Sequence, residues 1–235
     1  EQVRPFVTSC MNGRKVCIFA YGQTGSGKTY TMNGGAEPDT QGVIFRALRE
    51  IFRVRAERQD RAEMTYSLKM SMVEVYNETV RDLLARAAGH DGDSKPLEIR
   101  QGKQGTHVAG VEMVEVLTCE EAAEVIDAGN SNRAVGCHDF NAHSSRSHSV
   151  LTIHVIGVAS DTGSAAVGKL NLIDLAGSER VSKTQSAGER LKEARYINKS
   201  LSAMGDVMSA LAERQKTRKK AMHIPYRNSK LTYLL

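Results

Sequence analysis

The sequence predicts an α/β fold in which a central, twisted and mostly parallel sheet carries helices on both faces. Two observations lead to this class. Segments with the alternation of strands follow segments with helical spacing along most of the 235 residues. A glycine-rich stretch with the pattern G-x-x-x-x-G-K-[ST] lies between a short apolar run and a helix start, as in α/β phosphate-binding folds. The length fits one large domain or two small ones and allows a substantial core.

The first elements surround the glycine-rich stretch. Residues 1–12 have the amphipathic spacing of a helix. The apolar run 15–21 predicts a buried strand, and a helix can begin at Gly27. After a turn at 33–38, residues 43–52 return to helical spacing with charges on the opposite face.

The middle of the chain predicts several short elements. Met64–Val75 alternates and is expected to form a strand, and Glu78–Leu84 reads as a short helix. Residues 89–94 predict a surface loop, since two acidic residues without the rest of a calcium-binding loop do not make a calcium site. Residues 97–116 predict short strands interrupted by glycines.

The second half predicts two strands between two helices. The first helix has Thr118 as its N-cap and Gly129 as its stop signal. The strands are expected at 149–158 and 169–174, joined by a turn. A long helix follows over 191–213. We interpret its apolar stripe as ordinary core packing; the stripe consists of Ile197, Leu201, Met204, Val207, Met208 and Leu211.

Charge is distributed unevenly. Residues 180–235 contain 13 Lys and Arg against 4 Asp and Glu, a net charge of +9, which leaves −4 for the rest of the chain. A basic segment predicts an anionic partner, either a nucleic acid or an acidic protein surface. The absence of Trp and the low aromatic content do not indicate a base-stacking surface.

Cysteine usage and hydropathy suggest a cellular setting. The four cysteines form no C-x-x-C pair, which favours reduced thiols in a reducing compartment. The sequence has no apolar run of about 18 residues and no signal peptide, so we expect a soluble intracellular chain that does not enter a membrane.

The glycine-rich stretch matches the phosphate-binding loop of nucleoside triphosphatases. Its residues are Gly22, Gln23, Thr24, Gly25, Ser26, Gly27, Lys28 and Thr29. The glycines allow backbone N–H groups to point inward and form an anion nest at a helix N-terminus. Lys28 is then expected to reach the outer phosphates, and the Thr29 hydroxyl to ligate Mg²⁺. A simple glycine-rich turn is the alternative, but the full match after a strand disfavours it.

Two further motifs support a triphosphate site. Asp174 ends an apolar strand, where phosphate-loop enzymes hold Mg²⁺, usually through water. Gly177, in the segment Asp174–Glu179, would let a backbone N–H approach the γ-phosphate, where a side chain would obstruct it. Asn141–His148 packs small hydroxyl residues, one Arg and two His before another strand; taken alone it could be an ordinary polar loop.

Taken together, these motifs resemble the kinesin motor domain in the family's order and through nearly the whole chain. The segments that carry the resemblance are Tyr21–Met32, Asn141–His148, Asp174–Glu179, Ile197–Leu201 and His223–Thr232. The details at Gly168–Asp174 and Ser202–Val207 are most similar to the C-terminal-motor, minus-end-directed kinesins.

The resemblance implies a Mg²⁺- and ATP-dependent site with two mobile switches. Asn141–His148 corresponds to switch I, where Ser145 joins the Mg²⁺ shell and Ser144 helps to position the attacking water. Asp174–Glu179 corresponds to switch II. Arg146 is expected to pair with Glu179 when ATP is bound, and Tyr30 to lie beside the adenine.

The resemblance also implies a microtubule-stimulated ATPase, located on cytoplasmic microtubules and the spindle, that binds tubulin through the Arg180–Lys230 region. The basic run 214–220 and the loop with Lys103 and His107 are expected to contribute. Nucleic acid and membrane are not expected partners. The full-length parent is expected to dimerise through a coiled coil outside this chain.

Compared with the family, residues 1–235 are expected to be one partial motor domain. The first strand and the adenine-clamping segment are expected upstream, and the last helices and neck downstream. Ala142 stands where the family usually has Glu. The alternative function is a non-enzymatic microtubule-binding module whose nucleotide site is crippled by truncation. A small GTPase is disfavoured, because Asn198–Leu201 has Leu where the base-reading N-K-x-D motif needs Asp.

Overall fold

A computed structural model describes residues 2–35, 37–85, 96–102, 105–135, 144–179, 188–217 and 222–235. The strands are β1 (Lys15–Ala20), β2 (Met64–Tyr76), β3 (Thr79–Asp82), β4 (Ile99–Gly102), β5 (Gly105–Val108), β6 (Val114–Glu115), β7 (His148–Ala159) and β8 (Ala165–Asp174). The helices are α1 (Arg4–Met11), α2 (Lys28–Asn33), α3 (Val43–Asp60), α4 (Cys119–Val135), α5 (Glu189–Thr217) and α6 (Lys230–Leu234), with 3₁₀ turns at Pro38–Thr40 and Tyr226–Asn228. The predicted loop at 89–94 lies outside the described residues.

The main sheet is mixed, with the strand order β1-β8-β7-β2-β3 and with β6 paired to β2. The α/β class is confirmed, but the expectation of a mostly parallel sheet is wrong. Among the described strands of this sheet, only β1 and β8 pair in parallel. Two of the antiparallel pairs, β2–β3 and β7–β8, are hairpins, in which a short connection forces antiparallel pairing. The two hairpins also pair with each other in antiparallel fashion through β2 and β7.

The β2–β3 hairpin also overturns the helix predicted at Glu78–Leu84. Asn77 and Glu78 both have positive φ, 49° and 58°, which is the backbone of a tight two-residue hairpin turn. Thr79–Asp82 therefore returns along β2 as a strand, with Val80 opposite Val75.

Strand β1 lies at an edge of the sheet, so its predicted full burial is also wrong. Its residues alternate between exposed and half-buried up to Ile18, and Cys17 is exposed. Cys10, Cys17 and Cys119, the described cysteines, are free thiols. Among the helices that the structure describes, none is both long enough and apolar enough to cross a bilayer.

Helices cover both faces of the sheet, as expected. On one face α1, α3 and α4 pack on the sheet through a core that includes Met11, Ile51 and Leu151. On the other face α5 and α6 contribute Met204 and Leu231 to a separate core. The predicted stripe of α5 is only partly core: Met204 is 6% exposed but Met208 is 50% exposed.

Helix α4 begins as predicted but runs further. The Thr118 hydroxyl accepts a hydrogen bond from the Glu121 N–H at 3.1 Å, which confirms the N-cap. Gly129 does not end the helix, which continues to Val135. A Cβ at position 129 would collide with the Met72 sulfur, so this glycine permits close packing against β2 instead. The extra turns carry Arg133 to the end of the sheet, where the polar motifs meet.

Candidate nucleotide-binding site

The phosphate-loop segment has the predicted strand-loop-helix form. It leaves β1 and enters α2 through Gly27, which is the N-cap residue at φ 85°, a value that disfavours any residue with a side chain. The Thr31 N–H donates to the Gly27 carbonyl at 2.8 Å and starts the helix. The Lys28 ammonium folds back over the loop and donates to the Gln23 carbonyl at 2.8 Å. Loop and lysine therefore form one compact cationic turn.

A cavity of about 360 Å³ opens beside this loop. It is lined by Thr24, Gly25, Gly27, Lys28, Thr29, Tyr30, Ser144, Ser145 and Leu175. Residues from three separate predicted motifs therefore share one cavity. Tyr30 is 60% exposed at its edge and also borders a neighbouring cavity formed by residues 39–46.

Thr29 and Asp174 meet at the carboxyl end of two parallel strands. Ala20 of β1 lies opposite Asp174 of β8, and α2 begins a few residues after β1. The Thr29 hydroxyl donates to Asp174 Oδ2 at 2.7 Å. Asp174 Oδ1 is buried and, among the described residues, receives no hydrogen bond.

These two residues fit Mg²⁺ bound with phosphate and water. A hydroxyl and a carboxylate are oxygen ligands, and Mg²⁺ keeps several waters. The described residues hold no group of three or more His, Cys, Asp or Glu that could bind a metal by itself. The donor set therefore suits an ion that arrives with its triphosphate better than a permanently bound metal.

The two switch segments contact each other and the phosphate loop. The Gly177 N–H donates to the Ser145 carbonyl at 2.7 Å, and the Ser178 N–H donates to the Gly22 carbonyl at 3.0 Å. The Gly177 N–H, expected to reach a γ-phosphate, is thus used by switch I in this arrangement. A Cβ at position 177 would collide with the Thr24 hydroxyl, which explains the glycine.

Arg146 and Glu179 do not pair in this structure. The Glu179 carboxylate accepts from the Thr24 N–H at 2.8 Å and from the Thr24 hydroxyl at 2.5 Å. Partial burial raises the pKa of Glu179, but the hydrogen bonds from Thr24 outweigh it and hold that pKa below its ordinary value. Arg146 instead forms an ion pair with Glu193 of α5, with Nη1 and Oε2 at 3.1 Å. Each member of the expected pair is therefore engaged by a different partner.

Arg133 is a site residue that sequence reasoning missed. Its guanidinium donates to the carbonyls of Ser144 and Ser147, at 3.3 and 3.1 Å, and lies 3.5 Å from Asp174 Oδ2. It therefore joins α4 to switch I and to the end of β8. The helix was expected to stop at Gly129, so the sequence did not indicate that Arg133 lies on its last turn and faces the site.

His148, the last residue of the Asn141–His148 motif, makes contacts that the motif did not predict. It lies at the start of β7 and is 3% exposed. Its Nδ1 accepts from the Ala176 N–H at 3.0 Å, and its Nε2 lies 2.7 Å from the Ser200 hydroxyl. Because that hydroxyl donates to the Ile197 carbonyl, Nε2 carries the ring proton, and because Nδ1 accepts from Ala176 the ring is neutral. Burial, with a smaller contribution from Arg133, lowers the pKa of His148 to about 3. The ring thus connects switch II to α5.

The described basic residues of the region expected to bind a partner lie mostly at the surface. Lys192, Arg195, Arg214 and Lys216 are exposed along α5, and Lys199 pairs with Glu78 at 3.1 Å. Exposed Arg227 follows α5 in the 3₁₀ turn before α6, and His107 is exposed in β5. Asn141, Ala142, Lys103, Arg180 and the residues Arg218, Lys219 and Lys220 lie outside the described residues.

Comparisons with known proteins agree with this site. The family profile described as "Kinesin motor domain" matches residues 1–235. Kinesin-like protein KIN-14F of Oryza sativa subsp. japonica is 49% identical over 235 residues, covering 99% of this chain and 22% of the relative. Kinesin-like protein KIN-14G of Arabidopsis thaliana is 48% identical, covering 100% and 23%.

Solved structures give the same result. The motor domain of the Kar3-like kinesin from Ashbya gossypii is 40% identical with a TM-score of 0.80, covering 100% of this chain and 66% of that one. The C-terminal motor of Kar3Vik1, fused to a synthetic heterodimeric coiled coil, is 41% identical with a TM-score of 0.83, covering 100% and 57%. The similarity to KIN-14 and Kar3-like motors confirms the resemblance to the C-terminal-motor class. The chain spans less than a quarter of the length of these curated relatives. It spans 57% of the Kar3Vik1 chain and 66% of the Ashbya gossypii chain. On the match over its whole length, this chain belongs to the kinesin motor domain family.

Proposed function

We propose that this chain is the ATP-hydrolysing and track-binding part of a microtubule motor. One observation carries the proposal: the Thr29 hydroxyl and the Asp174 carboxylate meet at 2.7 Å beside the phosphate loop, at the edge of a cavity that both switches border. That arrangement suits a nucleoside triphosphate with its cation. Family membership supports ATP as the nucleotide and the microtubule as the track.

The residues of the cavity divide the work of hydrolysis. The loop N–H groups and Lys28 would hold the phosphates. Thr29 would ligate the cation directly, and Asp174 would orient it through water. Mg²⁺, when bound, supplies positive charge where negative charge develops on the phosphate oxygens. Ser144 and Ser145 both border the cavity; Ser145 would complete the cation's shell and Ser144 would position the attacking water. Tyr30, at the edge of the cavity, would lie beside the adenine.

Closure of the two switches is the step that commits ATP to hydrolysis. Gly177 and Ser145 join the two switches through their backbones at 2.7 Å, and closure would bring Arg146 and Glu179 together. In that closed state the Gly177 N–H turns from Ser145 to the γ-phosphate. Such a change between two discrete arrangements couples chemistry to movement.

Helix α5 and the segment through α6 form the microtubule face. The exposed cations along α5 and at Arg227 provide an electropositive surface. A polymer with an acidic surface attracts it at long range, and the attraction weakens with salt. In the full-length parent, a coiled coil outside this chain pairs two such domains on microtubules of the cytoplasm and spindle.

Phosphate release, measured with and without polymerised microtubules, tests this function. We expect slow basal turnover that microtubules accelerate and that Lys28→Ala abolishes. Lys69→Ala is the matched control, because Lys69 is exposed on β2 and does not border the cavity. Co-sedimentation with microtubules without any Lys28-dependent turnover would instead support the non-enzymatic binding module.

A further inference from the structure

The carboxylate of Glu193 connects helix α5 to switch I and to the end of strand β2. Glu193 lies in α5, near its N-terminal end, and its side chain is 14% exposed. One oxygen lies 3.1 Å from the Arg146 guanidinium of switch I. The other accepts a hydrogen bond from the hydroxyl of Tyr76, the last residue of β2. Burial and the hydrogen bond to Glu193 raise the pKa of Tyr76 to about 12, so it remains a donor.

The contact between Arg146 and Glu193 is suited to exchange. Glu193 Oε2 is buried and receives no aligned hydrogen bond within the described ranges, so charge attraction rather than hydrogen-bond geometry holds the arginine there. The Arg146 side chain is 34% exposed and can move, whereas Tyr76 fixes the glutamate. A nearly buried carboxylate is costly without a cation, which gives Glu193 a real preference for keeping Arg146.

Glu179 is the competing partner for the same guanidinium. It is held by Thr24 of the phosphate loop, which bonds both of its oxygens. Closing the site as proposed above requires Arg146 to leave Glu193 and Glu179 to leave Thr24. The resting and closed states therefore differ by an exchange of partners: in the resting state Glu193 holds Arg146 and Thr24 holds Glu179, and in the closed state Arg146 and Glu179 hold each other.

We propose that Glu193, oriented by Tyr76, is the resting-state partner of Arg146 and holds switch I away from Glu179. It is a positioning residue, and the inference rests on the proposed closed pair. Glu193 and the exposed Lys216 are part of one continuous helix, 23 residues apart or roughly 35 Å at 1.5 Å per residue. A track that shifts this helix therefore moves Glu193 as well and releases Arg146 for closure.

The test uses Glu193→Gln, which keeps the shape and the acceptor for Tyr76 but removes the charge. Hydrogen exchange of residues 144–149 is measured together with basal and microtubule-stimulated phosphate release. We expect exchange and basal turnover to rise about two- to fivefold, the range for a partly exposed ion pair, and the stimulation by microtubules to shrink. Tyr76→Phe should shift both readouts in the same direction by less. Glu124→Gln, on the exposed side of α4, is the matched control and should change neither.

Three results would overturn the proposal. Unchanged exchange in Glu193→Gln would mean that the glutamate does not restrain switch I. Lower turnover with and without microtubules would mean that Glu193 serves the closed state instead. Equal effects of Glu193→Gln and Glu124→Gln would indicate a general effect of charge. If the parent chain shows no stimulated turnover, the proposed function fails, whereas the exchange measurement still decides the role of Glu193. Tyr76→Phe retains its ring and decides the question if Glu193→Gln does not fold.

Discussion

Replacing His148 with Leu should destabilise the fold, because Leu has a similar volume but cannot make the hydrogen bonds of the buried imidazole. The Ala176 N–H is fully buried and would lose its acceptor, which costs about 1–3 kcal/mol. The Ser200 hydroxyl would lose one partner but keep its bond to the Ile197 carbonyl, a further loss of about 1 kcal/mol. We therefore expect the free energy of unfolding to fall by about 2–4 kcal/mol.

Urea unfolding followed by far-ultraviolet circular dichroism measures this change. His148→Asn is the informative control, since its side-chain oxygen can take the place of Nδ1 and accept from Ala176; its loss should be about 1 kcal/mol. Ser200→Ala combined with His148→Leu closes a double-mutant cycle, with an expected coupling of about 0.5–1 kcal/mol. A Leu variant as stable as the parent, or an Asn variant as unstable as the Leu variant, would refute the reasoning.

Three further predictions test the remaining charges and the cation site. Burial, aided by Arg133 and Lys169 respectively, lowers the pKa of His148 to about 3 and that of His154 to about 4, from 6.5. As the pH falls, the unfolded chain therefore binds these protons before the folded chain does, so the stabilisation is fully present only above pH 6.5. By pH 5.5 each histidine lowers the free energy of unfolding by about 1–1.5 kcal/mol. Unfolding at pH 7.5 and at pH 5.5 measures this loss, which His154→Gln should make smaller. Thr29→Asn should weaken Mg²⁺-dependent ATP binding at least tenfold by calorimetry without lowering the melting temperature, and an unchanged affinity would contradict the cation site. Neutralising Lys216, Arg218, Lys219 and Lys220 together should weaken microtubule co-sedimentation several-fold at moderate salt, since exposed contacts contribute about 0.2–1 kcal/mol each; binding equal to that of the parent would mean that the run is only solvated.

Local signals predicted most elements of the fold but not their pairing. Strand and helix periodicity located β2, β7, β8 and α5 within about four residues, and the start of α3, which runs eight residues further than predicted. The parallel sheet was wrong because alternation of strands and helices does not reveal a two-residue turn made by Asn77 and Glu78, residues other than glycine. Likewise Gly129 carried the signal of a helix end, whereas in the structure it lies within the helix where a Cβ would collide with the Met72 side chain of the sheet.

The phosphate loop and Asp174 were predictable because their chemistry is local. Gly27, Lys28 and Thr29 act through the backbone turn that they form themselves, and Asp174 follows directly from the end of its strand. The Arg146–Glu179 pair is different, because it depends on which of two carboxylates lies nearer in a given state. In this structure Glu193 holds the arginine and Thr24 holds Glu179, and both contacts join residues remote in sequence.

Arg133, His148 and Glu193 share one feature that explains why sequence motifs did not predict their roles. Arg133, His148 and Glu193 are each bonded to a motif rather than forming its chemical centre: Arg133 to Asp174, His148 to the Ala176 backbone and Glu193 to Arg146. Two of these contacts lead to α5, the helix with the exposed cations. If α5 binds the track, as proposed, two short chains of contacts lead from it to the switches, one through Ser200 and His148 and one through Glu193. Because neither route passes through the phosphate loop, changes along them should alter the response to microtubules while nucleotide affinity stays near that of the parent.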